Sequence, residues 1–163
     1  MRKFALFTIA IAAFIVFGIN EARAQDAPKY AVFTGYSYRS DDIGSRRLNL
    51  NGFEASVTRS FSNGFGIEGS VNGHYGDHTH HAYMAGVKYT FKGDTVRPYV
   101  HALAGLDQFQ TSDVGFATAF GGGVDARLND RVSIRIVQVD YAPVFYPEAA
   151  HNVRVSTGIV FTF

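Results

Sequence analysis

The chain holds six histidines, His74, His78, His80, His81, His101 and His151, and these are the first residues to test for chemistry. Three of them crowd the stretch Asp77-His78-Thr79-His80-His81, where His78 and His80 share a face if the backbone is extended. Imidazole suits zinc, nickel or copper, so this pair is a candidate loop metal site. A solvated polar loop accounts for the same composition more simply, and neither a metal nor a cofactor is expected. Nucleophilic catalysis needs a hydroxyl or thiol within reach of a base. No serine lies two residues after His74, His101 or His151, the chain has no Cys, and there is no P-loop or dinucleotide motif. No enzyme activity is expected. What remains is acid–base pairing among scattered charges, and its meaning depends on the elements that carry them.

With 163 residues the chain has room for one domain, and 47% apolar content excludes a disordered chain. The absence of Cys excludes a disulfide scaffold. A formal charge of +1 gives no case for nucleic acid as a partner. Residues 1–24 read as an export signal. Arg2 and Lys3 are followed by the apolar run Phe4 to Ile19, and Ala22-Arg23-Ala24 supplies a small-x-small cleavage pattern before Gln25. That run would rise only about 24 Å as a helix, short of the roughly 30 Å hydrocarbon core. Removing the signal takes the formal charge from +1 to about −1, and no Cys follows the cut to take a lipid. Residues 25–163 are then expected to be one exported domain.

Period-two alternation dominates that domain. It predicts strands near 29–39, 50–61, 65–75, 82–91, 96–106, 115–128, 132–141 and 152–163, most of them about 10 residues long, as tilted membrane strands require. In the last, Val153, Val155, Thr157, Ile159, Phe161 and Phe163 oppose Arg154, Ser156, Gly158, Val160 and Thr162. In the third, Ile67, Val71 and Tyr75 oppose Glu68, Ser70, Asn72 and His74.

Three features turn the apolar faces outward. The polar faces are rich in Gly, Ser and Thr with single charges, unlike a soluble surface. The apolar faces end in aromatics such as Tyr36, Phe53, Tyr75, Tyr83 and Phe91, fitting an interfacial girdle. The connections alternate long and short, with tight-turn residues in Ser62-Asn63-Gly64, Lys92-Gly93-Asp94-Thr95 and Asn129-Asp130-Arg131. The expected fold is all-β: an eight-stranded antiparallel up-and-down transmembrane barrel, closed because lipid offers no partner for a strand edge. Arg135, Gln138 and Asp140 cannot all face inward under strict alternation, which predicts a bulge near Val137–Gln138.

That register places Glu54, Glu68, Asp125 and Asp140 in the lumen with Lys88, Arg97, Arg127, Arg135 and Arg154. Unpaired, such charges would be costly, so a hydrogen-bonded ion-pair network is expected, acting as a plug or as a narrow gate. Two loops, Ser40 to Arg47 and Pro143 to Pro147, are expected outside the cell. The second offers the aromatic pair Phe145-Tyr146 as a contact patch.

The C-terminal stretch Ser156-Thr157-Gly158-Ile159-Val160-Phe161-Thr162-Phe163 resembles the insertion signal of outer-membrane barrels, carried by Ser156, Gly158, Phe161 and Phe163. With Phe120-Gly121-Gly122-Gly123-Val124-Asp125 and the run Arg135 to Tyr141, the chain resembles the OmpA-like small outer-membrane β-barrels over residues 25–163. The resemblance implies a monomer assembled by the outer-membrane insertion machinery of a Gram-negative bacterium after export through the periplasm. Its surroundings would be outer-membrane lipids and lipopolysaccharide. It implies no cell-wall tethering, because no peptidoglycan-binding domain follows the barrel. The expected role is structural, in envelope integrity, with weak passage of small solutes or ions. The alternative is a surface adhesin or recognition barrel acting through its loops.

Overall fold

The computed structural model describes residues 30–43, 46–61, 63–76, 78–109, 113–145 and 149–163. The expected signal peptide, residues 1–24, lies outside them. The strands are β1 (Tyr30–Ile43), β2 (Arg46–Ser60), β3 (Phe65–Tyr75), β4 (His80–Thr90), β5 (Val96–Phe109), β6 (Asp113–Arg127), β7 (Val132–Tyr141), β8 (Val144–Phe145) and β9 (Ala149–Thr162). From β1 to β7 each pairs antiparallel with the next, β7 pairs with β9, and β1 pairs with β9 from Ala31↔Thr162 to Asp42↔His151, so the sheet closes on itself. β8 is the continuation of β7 beyond Ala142-Pro143: both sit between β6 and β9, β8 through Phe116↔Phe145 and Val144↔Ala150. Pro143 has no N–H to give the ladder, which is why the seventh strand breaks there. Eight long strands with a seventh interrupted by proline therefore make the barrel wall.

Alternation sorts side chains as the sequence predicts, with the polarity of a soluble protein inverted. Ile67, Val87, Leu106, Phe120 and Ile159 point outward and are exposed, at 51% for Ile67 and 53% for Phe120. Glu54, Glu68, Arg135, Asp140 and Arg154 are all buried at 2% or less. A continuous apolar exterior of this kind suits hydrocarbon and would be a severe liability in water. The barrel has a terminal end, where Tyr30 and Phe163 exchange backbone hydrogen bonds, and a far end carrying the tips of the β1–β2, β3–β4 and β5–β6 hairpins.

The bulge forms one residue earlier than predicted. Val124 pairs with Val137 and Asp125 with Arg135, while on the other side Arg135 pairs with Gly158 and Gln138 with Ser156. Ile136 and Val137 both face outward as a result, and Arg135, Gln138 and Asp140 all face inward. Gly121 serves the same centre, because a Cβ there would lie 2.2 Å from Asp140 Oδ1. Gly64, with φ 87°, allows the tight β2–β3 turn.

The expected alternation of long and short connections does not hold. β1 runs to Ile43 and β2 starts at Arg46, so most of the expected loop Ser40 to Arg47 is strand. Asp and Ser there read as turn formers, yet β1 is laddered on both sides, to β2 as far as Ile43↔Arg46 and to β9 as far as Asp42↔His151. Two complete ladders outweigh weak local propensity. The expected aromatic patch is likewise altered: Phe145 lies in β8 and stacks on Phe116 at 6.2 Å, and Tyr146 lies outside the described residues.

Candidate functional site: the charged lumen

The centre of the lumen is organised by acceptors that each serve several strands. Glu68 on β3 accepts from Thr58 Oγ1, Lys88 Nζ and His101 Nδ1, each at 2.9 Å. Asp140 on β7 accepts from His101 Nε2 at 2.7 Å, Gln138 Nε2 at 2.7 Å and Arg154 Nη2 at 2.6 Å. Both ring nitrogens of His101 therefore face carboxylate oxygens, so both carry hydrogen and the ring is an imidazolium bridge between β3 and β7. Arg154 also donates Nη1 to Asn72 Oδ1 at 2.6 Å. Glu54 on β2 accepts from Gln138 Nε2 at 3.0 Å and from Ser156 Oγ at 2.7 Å.

Toward the terminal end, Arg135 donates to Asp125 at 2.9 Å and to Gln138 Oε1 at 2.7 Å. Its guanidinium lies between two rings, 4.0 Å from the centroid of Phe33 and 4.5 Å from that of Tyr99. The Tyr99 hydroxyl donates to Gln138 Oε1 at 2.6 Å, and Lys88 Nζ sits 3.9 Å from the same tyrosine ring. Ser37 on β1 joins through Ser156, at 3.0 Å, so all eight long strands contribute to one connected network. Burial makes that connectivity obligatory, since a charge without a partner inside the barrel would cost several kcal/mol, on the order of 3–5 when one member of a buried pair is removed.

A second cluster closes the far end. Arg39 Nε donates to Asp41 at 2.6 Å and Arg39 Nη1 to Asp107. His80 Nδ1 lies 2.9 Å from Asp107, and His80 Nε2 lies 3.5 Å from Asp41. Beside this cluster the wall is apolar, formed by Ala82, Met84, Leu103, Ala117, Ala142 and Val144. The cavity between the two walls measures about 10 Å³, room for about one water molecule.

Of the predicted lumen charges, Glu54, Glu68, Lys88, Asp125, Arg135, Asp140 and Arg154 come together. Arg97 and Arg127 do not. Arg97 Nε donates to Gly93 O at 3.2 Å, and Arg127 pairs with Asp130, whose side chain is 89% exposed. Both have the inward parity, but they stand at strand ends, where a long side chain reaches water instead of the packed interior. Among the described residues no group of three or more metal-ligating side chains forms around the candidate pair. His80 is the first residue of β4 with both ring nitrogens toward carboxylates, and the His78 and His80 rings lie 5.2 and 4.9 Å from that of Phe109. Ser156 is buried in the lumen, Gly158 faces Gly35 across the β1–β9 seam, and Phe161 and Phe163 are exposed outside.

Sequence reasoning missed Arg39, Asp41 and Asp107 as lumen residues and read His80 as a loop ligand, although Ser37, Arg39 and Asp41 keep one parity along β1. It also missed that Ser37 Oγ and His74 Nε2 lie 2.9 Å apart, a serine–histidine pair built by distant segments. Ser37 is fully buried, and the cavity beside His74 is too small for an acyl group.

No family model and no curated protein matches the sequence. Solved structures do match. The barrel is similar to Neisserial surface protein A at 13% identity and a TM-score of 0.69, covering 85% of this chain and 100% of that one. It is similar to Ail, the attachment invasion locus protein of Yersinia pestis, at 17% identity and 0.63, with coverage of 85% and 100%. It is also similar to the outer membrane protein OprG from Pseudomonas aeruginosa at 14% and 0.54, covering 84% and 96%. The chain thus has the fold of small eight-stranded outer-membrane β-barrels.

Proposed function

We propose that this chain is a monomeric barrel of a Gram-negative outer membrane with a structural role in the envelope, its lumen closed by the charge network. The observation that carries this reading is the plug: charged side chains from every long strand meet at hydrogen-bond distance and leave a cavity of about 10 Å³. An eight-stranded lumen is narrow enough for side chains to fill, and here they do so in opposite charges. The apolar exterior would face lipid, with the hairpin tips of the far end toward lipopolysaccharide. The strand ending in Phe161 and Phe163 would engage the insertion machinery after export through the periplasm. The role is non-enzymatic.

Planar-bilayer recordings of the folded barrel test it. No discrete steps are expected from the unsubstituted protein, whereas Arg135→Ala, which removes the cation shared by Asp125 and Gln138, is expected to give measurable steps. Regular, reproducible steps from the unsubstituted barrel would overturn the plug and make the network a gate.

A second reading, surface recognition, is favoured by the far-end hairpins. β1, β2, β5, β6 and β9 have 14 or 15 residues, more than the 9–11 or so that cross a membrane, so their ends would stand clear of it. Cells displaying the barrel, compared with cells displaying a form lacking 40–49, are expected to bind host matrix or lipopolysaccharide more strongly. Equal binding removes this reading.

A further inference from the structure

Hydrogen bonding changes character in the far part of the lumen. Asn72 Nδ2, His74 Nδ1 and both amide atoms of Asn152 are buried there without a partner, as are Ser56 Oγ and Ser70 Oγ nearer the centre. Asn72 and His74 line the cavity of about 10 Å³. Asn72 and His74 are 2% and 1% exposed, so bulk water does not serve them.

Counting protons fixes what each group offers the cavity. Arg154 can only donate, so the atom of Asn72 facing it is the carbonyl oxygen, and the free atom is the amide N–H. The chain Glu54–Ser156–Ser37–His74 contains three links, of 2.7, 3.0 and 2.9 Å, and only two hydroxyl protons. Glu54 can only accept, so Ser156 donates to it. Ser37 must then donate to Ser156, and the third link is made only if His74 Nε2 carries the hydrogen and donates to Ser37. Nδ1 of His74 is thereby left as a bare acceptor aimed into the cavity. The cavity thus presents a donor and an acceptor around the volume of one water. A buried water makes about two to four hydrogen bonds to such groups.

We propose that this cavity is a binding site for one ordered water molecule, which accepts from Asn72 Nδ2–H and donates to His74 Nδ1. The water links two inward side chains of β3 beside the apolar wall. It holds His74 as the Nε2–H tautomer and completes the polar lining that the side chains leave open. Arg39, Asp107 and Arg154 also line the cavity, but both arginines already donate to carboxylates, and an anion there would meet the Asp107 carboxylate and the lone pair of Nδ1.

The test is long-range proton–nitrogen correlation on protein labelled with 15N-histidine, purified from membranes and held in phospholipid nanodiscs. Expected for His74 are a protonated Nε2 and an unprotonated Nδ1 shifted as a hydrogen-bond acceptor. Exchanging chloride for bromide is expected to leave both unchanged. In Asn72→Leu the Nδ1 signal is expected to move toward that of a free ring nitrogen. The doubly protonated signature of His101 reports in that variant that the barrel is intact. A protonated Nδ1 in the unsubstituted protein, or a halide-dependent Nδ1 signal, would overturn the proposal. So would an Nδ1 signal indifferent to the Asn72 substitution in an intact barrel. The tautomer is read on unsubstituted protein, so a variant that fails to fold still leaves the proposal decided.

Discussion

The centre of the lumen and its far end use the same kinds of residue to opposite effect. At the centre, Glu68 accepts from three side chains and Asp140 from three, drawn from β2, β4, β5, β7 and β9. At the far end, Arg39, Asp41, Asp107 and His80 pair compactly among themselves, and the polar groups just beneath them have unmet hydrogen-bonding capacity. The lesson is about supply. Where every wall contributes a long polar side chain, every charged group finds partners, although the Ser56 and Ser70 hydroxyls do not. Where one wall is Ala82, Met84, Ala117 and Val144, the polar wall opposite has too few partners and solvent must complete it.

Three substitutions sharpen that contrast. The largest effect belongs to Arg154→Ala, which removes one of the two cations on Asp140 and the donor to Asn72 in the packed centre. A loss of about 3–5 kcal/mol is expected, seen as a lowered denaturant midpoint by circular dichroism, since the chain has no Trp to report by fluorescence. A midpoint close to that of the parent would mean the centre is already hydrated. His80→Gln at the far end should cost less, about 1 kcal/mol, because an amide retains a donor toward Asp107 and the cluster lies near the barrel mouth. A loss as large as that of Arg154→Ala would erase the distinction between the regions. Arg127→Ala should change the midpoint least, by about 0.5 kcal/mol or less, since its partner Asp130 is in solvent. A greater loss would return Arg127 to the lumen network.

The sequence revealed the barrel because membrane strands leave a simple trace: alternation that survives for 10 residues, polar faces too poor in charge for a soluble surface, and tight turns at Asn63-Gly64 and Asn129-Asp130. It also revealed the bulge, since three inward polar residues at 135, 138 and 140 cannot obey one parity. It was weakest at the strand ends. Parity says that Arg97, Arg127 and Arg135 face inward, but how deep each stands depends on the tilt and stagger of neighbouring strands, and only closure of the sheet sets those. The hairpin extensions escaped for a related reason, because their support comes from β9, more than 100 positions along the chain. By itself the sequence determined which face of each strand meets lipid and which meets the lumen, a property of period two alone. Which charges meet, that Ser37 touches His74, and that one small space beside Asn72 is left unfilled were decided by the tertiary structure. Those contacts join residues on opposite walls, and no local pattern records the distance across a barrel.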